Sequence, residues 1–211
     1  CVEVCPADAL RLWGRRMEVE EVLAEVSKDL PFYLTSGGGV TLSGGEAMMQ
    51  AAFVARLLEA CREQGIHTAL ETCGHARWTA FQAIVPHLDQ LMFDIKHMDP
   101  SRHVQLTGVP NRLILDNAKR LAESGVSMTI RQTVIPGCND SEENFHQLAE
   151  FVKGLAGRPT IELLPYHGYG APKYDQLGRD YSLTELEPPT QEQLVRLRDL
   201  VRGHGLRCEM I

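Results

Sequence analysis

The chain has 211 residues, of which 44% are hydrophobic and 23% are charged, and its formal net charge is −7. This balance fits one globular domain with a sizeable core and excludes a disordered chain. The acidic charge and the 6% of aromatic residues argue against a nucleic-acid partner. No apolar stretch approaches the roughly 18 residues of a membrane span and no signal pattern opens the chain, so we expect a cytoplasmic protein without a membrane partner.

The amino-terminal residues carry a cysteine pattern. Cys1 and Cys5 lie in the run CVEVCP, which matches the second half of a bacterial ferredoxin run, C-x3-C-P. In two-cluster ferredoxins the fourth cysteine of a run serves the other cluster, so Cys1 and Cys5 would bind two different [4Fe-4S] clusters, both of them incomplete here. The chain opens on Cys and its first Met is Met17, so we expect it to begin inside a longer reading frame.

Helical periodicity predicts helices along the chain, and short apolar runs between them predict strands. The helices are expected at Glu18–Leu30, Ala47–Gln64, Asn111–Ser124, after Asp140 and after Thr190, and the strands at Val40–Leu42, Ile66–Gly74, Leu88–Lys96, Val126–Val134 and Thr160–Leu164. Pro31 is expected to end the first helix, and Gly65 to follow the second. Helix caps are expected at Asp140 with Glu143 and at Thr190 with Gln193. The stretch Ala171–Pro189 has no periodicity and is predicted to be a long loop.

Strands that alternate with helices predict a parallel α/β sheet, either open and doubly wound or closed into a barrel. The polar residues that stand out all follow the predicted strands at their carboxyl ends: Gly44, Gly45 and Glu46, then Glu71, Asp94 and Lys96, Arg131, and His167. In a barrel these ends converge on one mouth. Such a set of charges suits one small, multiply charged ligand better than a protein interface.

The densest of these features is the glycine-rich run from Ser36 to Glu46. Glycine lacks a Cβ and lets a ligand approach bare backbone, so free carbonyls at the strand end could accept hydrogen bonds from an ammonium group. A carboxylate at Glu46 adds negative charge. The pattern therefore indicates a site for a cation rather than for a phosphate, although an ordinary glycine turn between strand and helix would have the same composition.

The motifs SGGGVTLSGGE, LETCG, MFDIKH, IRQTVIPG and IELLPYH, in this order, resemble the glycyl-radical-enzyme activating enzymes of the radical S-adenosylmethionine superfamily, such as the pyruvate formate-lyase activating type. The resemblance implies a partial (β/α)6 TIM-like barrel. It also implies a [4Fe-4S] cluster, held by a C-x3-C-x2-C motif on a first strand, that reduces S-adenosylmethionine to yield a 5′-deoxyadenosyl radical. That motif is absent from these 211 residues, so we expect the first strand to be missing and the chain alone to be inactive.

The resemblance also divides the chain and suggests its partners. Residues 1–17 resemble the remnant of a ferredoxin-like two-cluster insertion, and residues 18–211 resemble the radical S-adenosylmethionine barrel. The implied partners are a glycyl radical enzyme, whose glycine loop must enter the barrel mouth, and an electron donor such as flavodoxin or ferredoxin. We expect the segment from Tyr169 to Tyr174 to contact that glycine loop, although it could also serve only to cover the barrel.

The resemblance implies a separate protein partner for each chemical group of S-adenosylmethionine. The backbone carbonyls of Gly44 and Gly45 would accept hydrogen bonds from the ammonium group of S-adenosylmethionine, with Glu71 nearby. Glu46 is expected either to contact the ligand as well or to brace the turn. The remaining expectations are Lys96, and more weakly Arg131, for the ligand carboxylate or ribose, Asp94 for ribose, and His167 against the adenosyl group. A monovalent cation would lie between Glu71, Thr72, the Met92 carbonyl and Asp94.

Other interpretations of the same residues stay open. Lys96 could be a solvated charge, Asp94 a helix cap, His167 a turn residue, and Arg131 a structural ion-pair partner of Glu71 or Glu162. Lys96 at a strand end could also form the Schiff base of an aldolase-type barrel. A non-catalytic iron-sulfur electron-transfer module would explain Cys1 and Cys5 but not the barrel motifs.

Overall fold

Residues 2–10, 12, 14–183 and 185–211 are described by a computed structural model of the chain. Its centre is one sheet of six strands, in the order β1-β2-β3-β4-β5-β6, with every neighbouring pair parallel. The strands are β1 Gly39–Leu42, β2 His67–Thr72, β3 Gln90–Asp94, β4 Ser127–Val134, β5 Thr160–Pro165 and β6 Cys208–Met210. Sequence order equals spatial order, so every crossover steps to the next strand, as in a partial barrel.

Nine helices are described, and most connect consecutive strands. They are α1 Val19–Val26, α2 Leu30–Ser36, α3 Ala51–Glu63, α4 Trp78–Ile84, α5 Pro100–Thr107, α6 Arg112–Glu123, α7 Glu142–Lys153, α8 Ala171–Gln176 and α9 Gln191–Gly203. Within the residues that the structure describes, none of these helices is long and apolar enough to pass through a membrane.

The core lies between the outer face of the sheet and the helices. Along β4, Met128, Ile130 and Val134 are buried and join the main apolar cluster, whereas Thr129 and Arg131 are only partly buried. Because side chains alternate between the faces of a strand, the second set lines the concave inner face. A smaller apolar cluster, Val19, Leu57, Cys61 and Ile66, packs α1 against α3. The helices therefore cover an apolar face of β4, whereas its opposite face carries polar side chains that are only partly buried.

The predicted fold class, an α/β partial barrel of parallel strands, is confirmed. The five predicted strands are present, and the capping box of Thr190 and Gln193 forms as expected. Gly65 follows α3 with a φ of +72°, the left-handed conformation that glycine adopts at little cost. The predicted division at residue 18 and the expected absence of a first strand stay predictions.

Several predicted local features were wrong. Pro31 does not end the first helical region, because it lies in the first turn of α2, where its missing N–H has no partner to lose. The cap of α7 is Ser141, which accepts from the Asn144 backbone N–H, while Asp140 accepts from the Gly137 N–H. The stretch predicted as a loop contains α8. Sequence periodicity also missed α4, α5 and β6, which have 7, 8 and 3 residues, too few to show a clear period.

Candidate functional site

A cavity of about 230 Å³ opens at the carboxyl ends of β1, β2 and β3. Its lining residues are Ser43, Gly44, Gly45, Glu46, Glu71, Thr72, Cys73, Asp94 and Lys96. Six of the eight predicted binding residues line this cavity, and Arg131 and His167 do not. The parallel register of the sheet places Glu71 beside Met92 and Asp94 beside Arg131. A larger apolar cavity of about 610 Å³, between α3, α4 and α6, contains none of the predicted ligands.

The glycine pair gives the cavity an open backbone wall. Gly44 has a φ of +125°, a conformation that side chains with a Cβ rarely adopt. A Cβ built on Gly44 or Gly45 would meet no atom within 4 Å. Nothing in the packing of the protein therefore requires glycine at position 45, and the open space at both positions is available to a ligand.

Glu46 joins the glycine turn to the end of β2. Its Oε1 accepts from the Met48 backbone N–H at 3.0 Å and from the Thr72 hydroxyl at 2.7 Å, and its Oε2 accepts from the Cys73 N–H at 2.8 Å. Burial raises the pKa of Glu46, but the hydrogen bonds from Cys73, Met48 and Thr72 outweigh burial, so its pKa is lowered. The pKa of Cys73 is raised to about 11, mainly by burial and to a smaller extent by the hydrogen bond to Glu46. Glu46 is therefore an ionised brace beside a neutral thiol.

Glu71, Arg131 and Glu162 form an ion-pair cluster on the concave face. Arg131 donates from Nη1 to Glu71 Oε1 at 3.1 Å and from Nε to Glu162 Oε2 at 2.8 Å. The Ser43 hydroxyl donates to the other Glu71 oxygen at 2.6 Å. Burial lowers the pKa of Arg131, but its hydrogen bonds and charge interactions with Glu162 and Glu71 outweigh burial and raise it. Arg131 is thus paired with both Glu71 and Glu162, the two carboxylates that the sequence offered as alternative partners. Ser43 and Glu71 both line the cavity.

Lys96 and Asp94 pair across the cavity wall. The Lys96 Nζ donates to Asp94 Oδ2 at 2.8 Å, with the side chains 30% and 19% exposed. Asp94 is the last residue of β3 and does not cap a helix, because the N-cap of α5 is Asp99, which accepts from the Arg102 N–H. The structure therefore keeps a cation and a carboxylate available at one wall of the cavity.

His167 follows β5 and is exposed, with its ring centroid 4.4 Å from that of Tyr169, and it does not line the cavity. Of the predicted cation ligands, the Thr72 hydroxyl already donates to Glu46 and accepts from the Gly74 N–H. Met92 is buried beside Glu71 in the sheet register.

Of the two cysteines predicted to bind iron-sulfur clusters, the structure describes only Cys5. Cys1 lies outside the described residues, and backbone hydrogen bonds, the one from Ala7 first, lower the pKa of Cys5. Among the residues that the structure describes, no three His, Cys, Asp or Glu side chains converge as metal ligands. The sequence analysis assigned no role to Ser43 and Cys73, which line the cavity. Both lie at the carboxyl end of a predicted strand, and this position is the signal that could have identified them.

Comparisons with known proteins agree with this arrangement. The model of the Radical SAM superfamily matches residues 4–149. The chain is 39% identical to a choline trimethylamine-lyase activating enzyme of Oleidesulfovibrio alaskensis, over 98% of this chain and 67% of that protein. It is 43% identical to an isethionate sulfite-lyase activating enzyme of Desulfovibrio desulfuricans, over 88% and 60%. The chain thus spans about three fifths to two thirds of the length of these relatives.

A solved structure supports the same assignment. A domain of a pyruvate-formate lyase-activating enzyme from Bacteroides vulgatus superposes with a TM-score of 0.70 at 32% identity, covering 82% of this chain and 99% of that domain. The chain belongs to the radical SAM superfamily, and its relatives there are the glycyl-radical-enzyme activating enzymes.

Proposed function

We propose that the cavity binds S-adenosyl-L-methionine for the activation of a glycyl radical enzyme. The observation that carries this proposal is the convergence of an open Gly44-Gly45 backbone with the Lys96–Asp94 pair in one cavity. The lining carries three carboxylates, those of Glu46, Glu71 and Asp94, against one ammonium. A net negative wall favours a ligand with an ammonium and a sulfonium group, because opposite charges attract strongly where water is partly excluded.

The residues present fit this ligand group by group. The carbonyls of the Gly44-Gly45 turn would accept from its ammonium, and Glu71, held by Ser43 and Arg131, would add negative charge beside it. Lys96 would pair with the ligand carboxylate or a ribose hydroxyl, and Asp94 would accept from ribose. Charge-assisted hydrogen bonds of this kind contribute roughly 1.5 to 3 kcal/mol each. Arg131 is a weaker candidate, because both neighbouring carboxylates already occupy it, and His167 would reach the adenosyl group only from outside the cavity.

S-adenosylmethionine held by these residues would supply, together with a reduced [4Fe-4S] cluster, the hydrogen-abstracting chemistry that installs a glycyl radical on a partner. Among the described residues, no three His, Cys, Asp or Glu side chains converge into a site for that cluster. Two further [4Fe-4S] clusters at Cys1 and Cys5, a monovalent cation at Glu71, Thr72, Met92 and Asp94, a flavodoxin or ferredoxin as electron donor and a cytoplasmic location all stay predictions.

The test is isothermal titration calorimetry with S-adenosylmethionine. Lys96→Ala should weaken binding about tenfold, because a charge-assisted hydrogen bond is lost. Gly45→Val should weaken it at least as much, since its side chain would occupy space that no protein atom fills. The matched control is Gly203→Val, whose Cβ also meets no atom within 4 Å and which does not line the cavity.

Binding that the combined Lys96→Ala and Gly45→Val variant leaves unchanged would refute the assignment of the cavity. The aldolase alternative is tested in the same preparation by borohydride reduction with a small carbonyl substrate. The Lys96 Nζ is already held by Asp94 at 2.8 Å and is not free to attack a carbonyl carbon, so we expect no trapped adduct on Lys96.

A further inference from the structure

The segment that follows β3 is held by four buried side-chain amides, which we call the amide bracket: Asn111, Gln132, Asn139 and Asn144. Each of them is at most 3% exposed. β3 ends at Asp94, so Lys96 and the two residues after it lie beyond the paired strand. Their backbone position is therefore not set by the sheet alone.

Two members of the amide bracket hold the same atom. Gln132 Nε2 and Asn139 Nδ2 each donate to the Lys96 carbonyl oxygen at 3.0 Å. Asn139 Nδ2 also donates to the Thr133 carbonyl at 2.8 Å, and its Oδ1 accepts from the Ile135 N–H at 2.8 Å. Asn139 therefore ties the end of β3 to the end of β4 at the residue whose side chain enters the cavity.

The other two members hold the next residues. Asn144 Oδ1 accepts from the Met98 N–H at 2.9 Å, and its Nδ2 donates to the Asn139 carbonyl at 2.8 Å. Asn111 Nδ2 donates to the carbonyls of His97 and Met98 at 3.0 and 2.6 Å. The backbone is thus fixed on both sides of His97, which leaves the connection little freedom to change where Lys96 points.

Gln132 shows that this arrangement costs free energy. Its Oε1 is buried and has no hydrogen-bond partner among the described residues. A buried unpaired acceptor is unfavourable, whereas an apolar side chain of similar size would avoid the penalty. What the glutamine provides here, and an apolar side chain would not, is the hydrogen bond from its Nε2 to the Lys96 carbonyl.

We infer that Asn139 and Gln132 are positioning residues, which hold the Lys96 backbone so that its ammonium lies against Asp94 and faces the cavity. The role of Lys96 toward a ligand rests on the proposed function, but the positioning of Lys96 does not. Neither amide lines the cavity, so each would act on a ligand only through Lys96.

The first experiment measures the reactivity of Lys96 and needs no ligand. Trace acetylation with acetic anhydride, quantified by mass spectrometry, reports how freely each lysine leaves its ion pair. In Asn139→Ala the labelling rate of Lys96 should rise about threefold, the effect of losing a partly exposed ion pair. Lys28, which pairs with Glu25 elsewhere, is the internal reference and should not change.

Asn117→Ala is the matched control. Asn117 is also 1% exposed and donates to two backbone carbonyls, those of Gly74 and Ala76, but it does not touch the segment after β3. Gln132→Met keeps the side-chain volume and removes the unpaired acceptor, so it should fold even where Asn139→Ala does not. The inference is supported if the labelling rate of Lys96 rises above that of the wild type in Gln132→Met and Asn139→Ala but not in Asn117→Ala. It is overturned if the rate equals that of the wild type in all three variants, or if it rises equally in all three.

The second experiment is a double-mutant cycle on the affinity for S-adenosylmethionine. Asn139→Ala should weaken binding about tenfold in the wild-type background but not further in the Lys96→Ala background. Additive losses would mean that Asn139 does not act through Lys96 and would overturn the inference. If the wild-type chain does not bind S-adenosylmethionine, the proposed function fails, and the labelling experiment alone decides the positioning role.

Discussion

Glu46 shows how one side chain can set the shape of the candidate site. It receives hydrogen bonds from Met48, Thr72 and Cys73, so it links the glycine turn after β1 to the end of β2. Its position in the Gly-Gly-Glu run suggested a ligand contact or a brace, and the contacts that the structure shows are those of a brace. The choice depends on partners 26 and 27 residues away, which no local pattern specifies.

Because folding lowers the pKa of Glu46, its hydrogen bonds stabilise the protein most above the unfolded-state pKa of about 4.3. This contribution is lost as pH falls through the lower folded-state pKa. Glu46→Gln should therefore lower the free energy of unfolding by about 1 to 3 kcal/mol at pH 7. The difference from wild type should shrink below about pH 4.

Urea unfolding at pH 7, 5, 4 and 3 measures this dependence, with Glu59→Gln on the exposed face of α3 as the control. A Glu46→Gln variant whose difference from wild type stays constant over this range would contradict the assignment of an ionised, hydrogen-bonded carboxylate at position 46.

At the scale of elements, β1 depends on close approach to β2. Gly39 lies opposite His67 in the register, and a Cβ at position 39 would overlap the His67 carbonyl oxygen. Gly39→Ala should therefore separate the first residues of β1 from β2 and lower the free energy of unfolding by about 1 to 3 kcal/mol. Hydrogen exchange should show lost protection of amides in β1, while those of β4 and β5 stay protected.

The control for this change is Gly203→Ala, at a position where a Cβ meets no atom within 4 Å. Alanine favours helix over glycine, so this variant should be neutral or slightly more stable. If Gly39→Ala behaved like Gly203→Ala, the close pairing of β1 with β2 would be wrong.

The Glu71–Arg131–Glu162 cluster connects β2, β4 and β5 across the concave face. Arg131→Met should leave two carboxylates without a cation and lower the free energy of unfolding by about 2 to 3 kcal/mol. This figure is below the ~3 to 5 kcal/mol of a fully buried pair, because the three side chains stay 17 to 33% exposed. Chemical unfolding at pH 7 provides the measurement.

The triple variant Arg131→Met, Glu71→Gln, Glu162→Gln should recover most of the lost stability, since no charge is then left unpaired. A triple variant less stable than Arg131→Met would show that the carboxylates stabilise the sheet through contacts other than those with Arg131.

For the whole molecule, the exposed segment that follows β5 is where we expect a partner to bind. Tyr169 is 81% exposed and Tyr174 is 41% exposed, directly after β5. Their surroundings are anchored, because the hydroxyls of Tyr166 and Tyr181 lie 2.8 Å apart and Tyr166 also donates to the Leu183 carbonyl. Exposed tyrosines on an anchored segment offer contact area at modest entropic cost, which supports the proposed contact with the glycine loop of a glycyl radical enzyme.

This contact can be tested in a longer protein that carries this chain with a C-x3-C-x2-C segment, reconstituted anaerobically with iron and sulfide. Replacing residues 169–174 with a Gly/Ser linker, while keeping Tyr166 and Tyr181, should abolish glycyl radical formation as read by electron paramagnetic resonance. Uncoupled cleavage of S-adenosylmethionine should persist, because the segment lies outside the cavity. Equal loss of both activities would show that the segment only supports the barrel.

The sequence by itself determined the parallel α/β class, the positions of five strands and the set of polar residues at their carboxyl ends. These are local properties, since apolar periodicity and glycine placement depend on neighbours within a few residues. The motif order was sufficient to indicate the family, which the comparisons confirm. Short elements such as β6, with three residues, could not be found this way.

Only the tertiary structure decided which polar residues meet and what each one contacts. Arg131 reaches Glu71 across 60 residues of chain, and Asn139 reaches the Lys96 carbonyl across 43. These partners are set by the register and curvature of the sheet. Sequence spacing alone would have allowed several residues of each strand to make the same contacts. The buried amides were missed for the same reason, because an asparagine that holds a distant carbonyl has the same local pattern as one in a surface turn.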